Sequence, residues 1–261
     1  MHPRPAQSGF SLVELSIVLV ILGLLTGGIL SGQSLIRAAE LRSLNADASR
    51  YTTAVYTFRD KYFALPGDMT NATAFWGAAP NCASQVASGT ATCNGNGSGQ
   101  MTWGTPNPER PELFTFWQHL ANAGLIEGSY DGVRGPGTNP ASTSPGVNSP
   151  RTRISNGCWS IFTTAVTPTG NLTLSTSVNA LAAGRLAGAS PNTDYCYGGF
   201  LRPEEMWNID TKLDDGRPGQ GSIVSWNQIR LPNCASTNDP NTAEYNLQET
   251  SAACAVIFLL R

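Results

Sequence analysis

Six cysteines carry the chemistry that is easiest to assign in this sequence. They form an even set without any C-x-x-C pair: Cys82, Cys93, Cys158, Cys196, Cys234 and Cys254. A zinc site needs closely spaced ligands, usually including histidine, and the chain has only His2 and His119. The cysteines therefore predict structural disulfides, which place most of the chain outside a reducing cytosol.

Three aspartates form the strongest candidate for a metal site. Asp210, Asp214 and Asp215 lie in the segment NIDTKLDDG, at the end of a helix predicted from Pro203 to about Leu213. Carboxylates at a helix C-terminus oppose the helix dipole, so this arrangement favours a compensating cation. Calcium is one interpretation of the cluster, and a solvated acidic turn is the other.

A second segment imitates a calcium loop with neutral ligands. Residues 93–101, CNGNGSGQM, follow the spacing of the D-x-D-x-D-G-x-I pattern, with Asn94, Asn96 and Ser98 in place of the carboxylates. No acid stands at the expected twelfth position of that loop. A glycine turn explains the segment better than a calcium site.

No motif in the chain points to catalysis or to nucleic-acid binding. The sequence lacks G-x-S-x-G, H-E-x-x-H, Walker and G-x-G-x-x-G contexts, and His119 lies on an aromatic helix predicted over residues 111–123, where a packed histidine is expected. Charged residues make up 13%, against roughly 25% for a typical soluble domain, and the net charge is −2. We therefore expect no enzyme, and nucleic acid is an unlikely partner because no basic patch exists.

The element that stands out is an apolar stretch near the N-terminus. Residues 15–36 carry no charge, and about twenty residues of helix span a bilayer core. A secretory signal cleaved near Ser31 and an ordinary signal anchor are two interpretations. Both are disfavoured by the abrupt change from polar to apolar residues at Gly9–Phe10 and by Glu14, since a carboxylate at bilayer depth is costly unless it has a function.

The segment Gly9-Phe10-Ser11-Leu12-Val13-Glu14-Leu15 with its apolar run resembles the class III signal sequence of type IV pilins and type II secretion pseudopilins. The resemblance implies that a prepilin peptidase cuts between Gly9 and Phe10 and methylates the new amine of Phe10. It implies that Glu14 is required for assembly with other pilin or pseudopilin subunits on an inner-membrane platform. It also implies a single-pass inner-membrane protein with a cytoplasmic N-terminus and a periplasmic head, which then enters a pilus or pseudopilus.

Charge pairing gives Glu14 a physical purpose in such a filament. A helix that starts at Phe10 has a positive amine and a positive dipole end, and both favour a nearby carboxylate. An unpaired carboxylate inside a filament core would be a costly buried charge. Pairing with the Phe10 amine of a neighbour removes that cost, but only when the two helices are shifted along the filament axis by one particular distance. Glu14 is therefore expected to set the axial register between neighbouring subunits.

The positions of proline and glycine predict how far the N-terminal helix extends. No proline lies between Pro5 and Pro66 and no glycine between Gly32 and Gly67, so one helix is allowed from about Phe10 to Phe63. Apolar residues recur on it at spacings of three and four: Leu41, Leu44, Ala48, Tyr51, Val55, Phe58, Tyr62 and Leu65. That stripe is compatible with a coiled-coil seam, but the bulky aromatics favour a helix laid on a β-sheet.

The head beyond this helix is predicted to be an α+β, pilin-like domain with an antiparallel sheet. Strands are expected at residues 159–166, 172–178, 223–226 and 256–260, the last of them central. The expected division is a leader at 1–9, a transmembrane and assembly half of the helix at 10–32, and a globular domain at 33–261. Two local disulfides are expected, Cys82–Cys93 and Cys234–Cys254, which leaves Cys158 to pair with Cys196. The short loop that Cys234–Cys254 would close resembles the disulfide-bounded region of many pilins.

Two functions fit this description. The first is a structural subunit, either a minor pilin or a pseudopilin, that polymerises through its N-terminal helix into a type IV pilus or a type II secretion pseudopilus. The alternative is a binding module at a filament tip, an adhesin-like or substrate-contacting minor pilin.

Overall fold

The described part of the chain comprises a long helix, three shorter helices and five strands. The structure, a computed structural model, describes residues 11–84, 86–102, 106–107, 109–135, 142–164, 178–186, 196–225 and 233–260. It contains two compact units, one ending at Arg42 and the other beginning at Ser43. The division at residues 9 and 32 stays a prediction.

The first helix confirms the prediction of one uninterrupted element. Helix α1 runs over Leu12–Tyr62 and continues through Gly27 and Gly28. The next residue, Phe63, has a positive φ of 53° and so turns the chain out of the helix.

The stripe on the second half of α1 packs against the head, as the favoured interpretation predicted. Its buried residues are Leu44, Ala48, Tyr51, Ala54, Val55 and Phe58. The ring of Tyr51 makes edge contacts with Trp117 and with Trp159, at centroid distances of 5.1 and 5.3 Å. Because Trp159 lies on the sheet, the stripe serves as the face of a helix laid on a sheet.

Three shorter helices follow α1 in the second unit: α2 over Thr73–Trp76, α3 over Glu112–Asn122 and α4 over Pro203–Leu213. Helix α3 is buried on every residue from Glu112 to Leu120, so it is a core helix rather than a surface one. It ends at Asn122 with Ala123 as its C-cap, and the φ of 71° at Gly124 suits the position after that cap.

Five strands form one antiparallel sheet: β1 over Gly157–Thr164, β2 over Val178–Leu186, β3 over Cys196–Gly198, β4 over Ile223–Ser225 and β5 over Val256–Leu260. Their order is β1-β2-β5-β4, and β3 pairs with the end of β2. Strand β5 lies between β2 and β4, which confirms that the predicted last strand is an internal one.

The strand predictions differ from the sheet at several places, and they include neither β2 nor β3. The strand expected at 159–166 is β1, with residues 165 and 166 outside the described part, and most of the strand expected at 172–178 also lies outside it. Strand β2 was not predicted, because its sequence VNALAAGRL is rich in alanine and carries little β-branched or aromatic signal. Residues Ala180, Ala182 and Ala183 are nevertheless fully buried.

Three disulfides join the six cysteines: Cys82–Cys93, Cys158–Cys196 and Cys234–Cys254. These are the pairs that the sequence favours. The second bond ties β1 to β3, and the third closes a segment that ends immediately before β5.

Candidate functional site

The start of α1 is a capped helix end built from Ser11 and Glu14. Residues Gly9 and Phe10 lie outside the described part of the chain. The backbone N–H of Ser11 donates to Oε2 of Glu14 at 2.9 Å, and the N–H of Val13 donates to Oγ of Ser11 at 3.2 Å. Glu14 therefore has a partner in its own chain, and this contact is one half of a capping box, while the Ser11 hydroxyl caps the N–H of Val13.

The capping role of Ser11 was missed in the sequence. The signal for it was present, because a serine followed three residues later by a glutamate and an apolar run is typical of a helix start. A carboxylate in the first turn also interacts favourably with the helix dipole. Two independent effects thus hold the Glu14 side chain at the end of α1.

The first half of α1 presents an apolar surface that nothing in the described chain covers. Its most apolar 18-residue window has a mean hydropathy of 2.4 and no buried residue. Around Gly23, Gly27, Gly28 and Gly32, an added methyl group would meet nothing within 4 Å. By length and composition this helix can cross a membrane, and its glycines leave room for close approach of another helix.

The predicted aspartate cluster is brought together at the end of α4. One carboxylate oxygen from each of Asp210, Asp214 and Asp215 lies within 4.8 Å of the others. Asp214 accepts hydrogen bonds from the N–H groups of Ser222 and Ile223, and so fastens the turn between α4 and β4. Asp210 lies in the last turn of α4, and Asp214 and Asp215 follow the helix.

Asp210 is the buried member of the cluster. Its Oδ1 accepts a hydrogen bond from the N–H of Gly216 at 3.2 Å, and its Oδ2 accepts one from the hydroxyl of Tyr245 at 2.7 Å. Burial raises the pKa of Asp210 to about 7, since loss of solvent disfavours the charged form more than its hydrogen bonds favour it.

Calcium fits the donor set of the cluster in type. Carboxylate oxygens are its preferred ligands, and neither Oδ1 of Asp214 nor Oδ2 of Asp215 accepts a hydrogen bond from a residue that the structure describes. Both side chains of the pair are also more open to solvent than that of Asp210. Those two oxygens would hold the ion, whereas both oxygens of Asp210 already accept hydrogen bonds.

The segment that imitates a calcium loop is organised around two acids from elsewhere in the chain. Asp68 accepts the N–H groups of Ser98 and Gly99 at 2.9 and 2.8 Å. Glu112 accepts those of Asn96 and Thr102, both at 2.9 Å. The carboxylates bind backbone N–H groups here, which is the arrangement of a glycine-rich turn.

The single histidine of the described part is a core residue. The N–H of Gly67 donates to Nδ1 of His119 at 2.9 Å, and Nε2 lies 2.9 Å from Oγ1 of Thr92. The ring stacks on Phe58, and complete burial lowers the pKa of His119 to about 3. Because Nδ1 accepts, the ring is neutral with its hydrogen on Nε2. Both nitrogens are engaged, as expected for a packed histidine.

Comparison with known proteins gives one match, at the N-terminus. Residues 4–30 match the family model of the prokaryotic N-terminal methylation motif, the signature of type IV pilins and pseudopilins. No curated protein and no solved structure matches the chain. The matched residues contain Gly9, Phe10 and Glu14, and the match ends within α1.

Proposed function

We propose that this chain is a subunit of a type IV pilus or a type II secretion pseudopilus, either a minor pilin or a pseudopilin, which polymerises through α1. The observation that carries the proposal is the methylation motif at residues 4–30, followed directly by an apolar helix without a buried residue in its most apolar window. Such a surface must be covered by lipid or by other apolar helices. A subunit that moves from a membrane into a filament exchanges one cover for the other.

The two units of the chain divide the work in this proposal. The first half of α1 supplies the surface that lipid or neighbouring subunits cover. The second half contributes six buried residues to the core of the head. A structural subunit needs both parts, because the same helix must anchor the head and join the filament.

Glu14 is proposed to change its partner during assembly. In the single chain its carboxylate accepts the N–H of Ser11. In a filament it would pair with the methylated Phe10 amine of a neighbour, and removal of one partner from a buried ion pair typically costs about 3–5 kcal/mol. That cost is large enough to select one axial stagger between subunits.

The proposed partners follow the same path. A prepilin peptidase removes residues 1–9 on the cytoplasmic side and methylates Phe10, and an inner-membrane platform then adds the subunit to the filament. The head would lie in the periplasm before assembly, where its three disulfides are stable.

Co-expression with a prepilin peptidase and an assembly platform tests the proposal. The intact mass of protein from sheared filaments should equal residues 10–261 plus one methyl group. Gly9→Val should leave the protein unprocessed in the membrane and absent from filaments, while Ala6→Val in the same leader serves as the matched control. A mature N-terminus near Gln33 would show an ordinary signal peptide instead, and the proposal would be wrong.

A binding module at a filament tip is the second candidate function. A specific feature favours it, namely an open groove in the head between the end of α4 and the segment closed by Cys234–Cys254. A purely structural head has no need for such a groove.

Calcium at Asp210, Asp214 and Asp215 is a separate proposal. It rests on the closeness of the three carboxylates and on the oxygens that Asp214 and Asp215 still offer. Binding of calcium should raise the melting temperature of the detergent-solubilised protein, and Asp215→Asn should abolish the rise while Asp239→Asn leaves it unchanged. An equal rise in the Asp215→Asn variant would contradict calcium at this cluster.

A further inference from the structure

A groove of about 380 Å³ lies in the second unit of the chain, between two walls. One wall is the end of α4 and the turn after it, with Trp207, Asp215 and Arg217. The other is residues 241–245, which lie inside the segment closed by the Cys234–Cys254 disulfide. The volume is within the range of small-molecule sites in proteins, about 300–1,000 Å³.

The two walls are fixed to each other by a single buried carboxylate. Asp210 accepts the N–H of Gly216 from the first wall and the hydroxyl of Tyr245 from the second. The second wall is fastened further, because the N–H of Ser236 donates to the carbonyl of Glu244 at 2.8 Å and the N–H of Asn246 donates to the carbonyl of Cys234 at 3.0 Å. A groove of set width loses little freedom when a ligand binds.

The side chains on the rim have unused hydrogen-bonding capacity. Among the described residues, the guanidinium of Arg217 and the carboxylate of Glu244 have no hydrogen-bond or ion-pair partner. The amide of Asn241 donates one hydrogen bond to Oδ1 of Asp239 at 3.4 Å and has a second N–H and a carbonyl oxygen to offer. The rim therefore offers donors and acceptors together.

One wall of the groove also offers an aromatic surface. Trp207 exposes 39% of its surface although it is the largest side chain of α4. Gly216, with a φ of 75°, stands beside the indole, and a Cβ at that position would lie 3.6 Å from Nε1 of Trp207. The glycine thus keeps the edge of the indole uncovered.

The combination selects among ligand classes. The rim carries charges of both signs, the carboxylates of Asp215 and Glu244 and the guanidinium of Arg217, so an organic ligand of either charge leaves at least one of these groups facing a like charge. The hydroxyl groups of a sugar both donate and accept, so they can use every one of these groups. The C–H face of a sugar ring is apolar and packs on an indole.

We propose that this groove binds a neutral saccharide, with the ring against Trp207 and the hydroxyl groups on Arg217, Asn241 and Glu244. The site goes beyond the role of the chain as a subunit, since assembly through α1 requires no ligand in the head. It gives the head a chemistry with which a filament could recognise a glycan surface.

Equilibrium binding to the full detergent-solubilised chain tests this proposal, with EDTA present so that no divalent cation contributes. The probes are the neutral saccharides lactose, maltotriose and N,N′-diacetylchitobiose, with sialyllactose as the anionic and glucosamine as the cationic comparison. We expect one neutral probe to bind and the charged probes to bind more weakly. Trp207→Ala should lower the affinity at least about tenfold, the loss expected when a central aromatic anchor is removed.

Two further variants separate binding from folding. Arg217→Ala changes an exposed rim residue and should lower the affinity several-fold with an unchanged melting temperature. Phe75→Ala removes an exposed aromatic side chain that does not line the groove, and it should leave binding unchanged. Failure of every neutral probe, preference for a charged probe, or equal binding by Trp207→Ala and the unaltered protein would each overturn the proposal.

Discussion

The hydroxyl of Tyr245 donates a hydrogen bond of 2.7 Å to Oδ2 of Asp210, and both side chains are buried. The bond joins the end of α4 to the segment closed by Cys234–Cys254. The carboxylate of Asp210 also accepts the N–H of Gly216, so this one acid connects the turn after α4 with the segment that contains Tyr245.

Tyr245→Phe should therefore destabilise the head. The change removes the hydroxyl without altering the ring, and it leaves a buried carboxylate oxygen without its donor. We expect a loss of about 1–3 kcal/mol in the free energy of unfolding, measured by urea denaturation. Tyr130→Phe is the matched control, because the Tyr130 hydroxyl makes only a 3.4 Å contact with the carbonyl of Glu127 and should cost little. Equal effects of the two changes would contradict the role of the Asp210 contact.

His119 should make the head sensitive to acid. Its pKa is about 3 in the folded chain and about 6.5 when unfolded, so the unfolded chain binds the proton first as the pH falls. The stability is complete above about pH 6.5 and is lost progressively toward pH 3, at up to about 1.4 kcal/mol for each pH unit. His119→Gln should lose less stability than the unaltered protein between pH 6 and pH 4, measured as free energies of unfolding. Parallel pH profiles would show that another group controls the acid response.

Glu14→Gln should leave insertion and processing intact and impair incorporation into filaments. The amide keeps the size of the side chain and removes the charge that would pair with the Phe10 amine of a neighbour. The measurement compares mature protein in the membrane with protein in sheared filaments. Ser11→Ala is the matched control: it removes the hydroxyl that accepts the Val13 N–H but keeps the carboxylate, so it should still assemble. Normal incorporation of the Gln variant would show that Glu14 does not set the register.

Gly95→Ala should destabilise the turn at residues 93–101. A Cβ at this position would lie 2.4 Å from the carbonyl carbon of Asp68 and 2.4 Å from the carbonyl oxygen of Gly67, both of them backbone atoms. Overpacking against backbone typically costs about 1–3 kcal/mol, and we expect the upper part of that range in thermal or urea unfolding. Gly124→Ala is the comparison, since it introduces a strained φ of 71° without any atom within 4 Å. A smaller loss for Gly95→Ala than for Gly124→Ala would contradict the contact.

The parts of the fold that sequence predicts are those that repeat locally. Helix α1 and its buried stripe follow from periodicity and from the spacing of proline and glycine. Strand β2 could not be predicted in this way. Its alanines are buried because β1 and β5 pair with it on either side, and its own sequence shows no strand pattern.

Contacts between distant residues account for what the sequence leaves out. Arg110 is 2% exposed, and its guanidinium donates to the carbonyls of Val86 and Asp131. Asp68 and Glu112 likewise bind a turn that lies elsewhere in the chain. Each of these three charged side chains binds backbone groups of a segment that is distant in sequence. The spacing of residues along the chain does not predict which segment that will be. The aspartate cluster was visible because its members lie within one helix turn and the loop after it.

The capped start of α1 bears on the return of a subunit from a filament. On the proposed pathway, a subunit that leaves its neighbours still has the N–H of Ser11 as a hydrogen-bond donor to the Glu14 carboxylate, although that carboxylate keeps its charge. The barrier to disassembly would then be lower by that one hydrogen bond than for an ion without any partner. On the proposed pathway, the same two residues would let a pool of subunits in the membrane be used, recovered and used again.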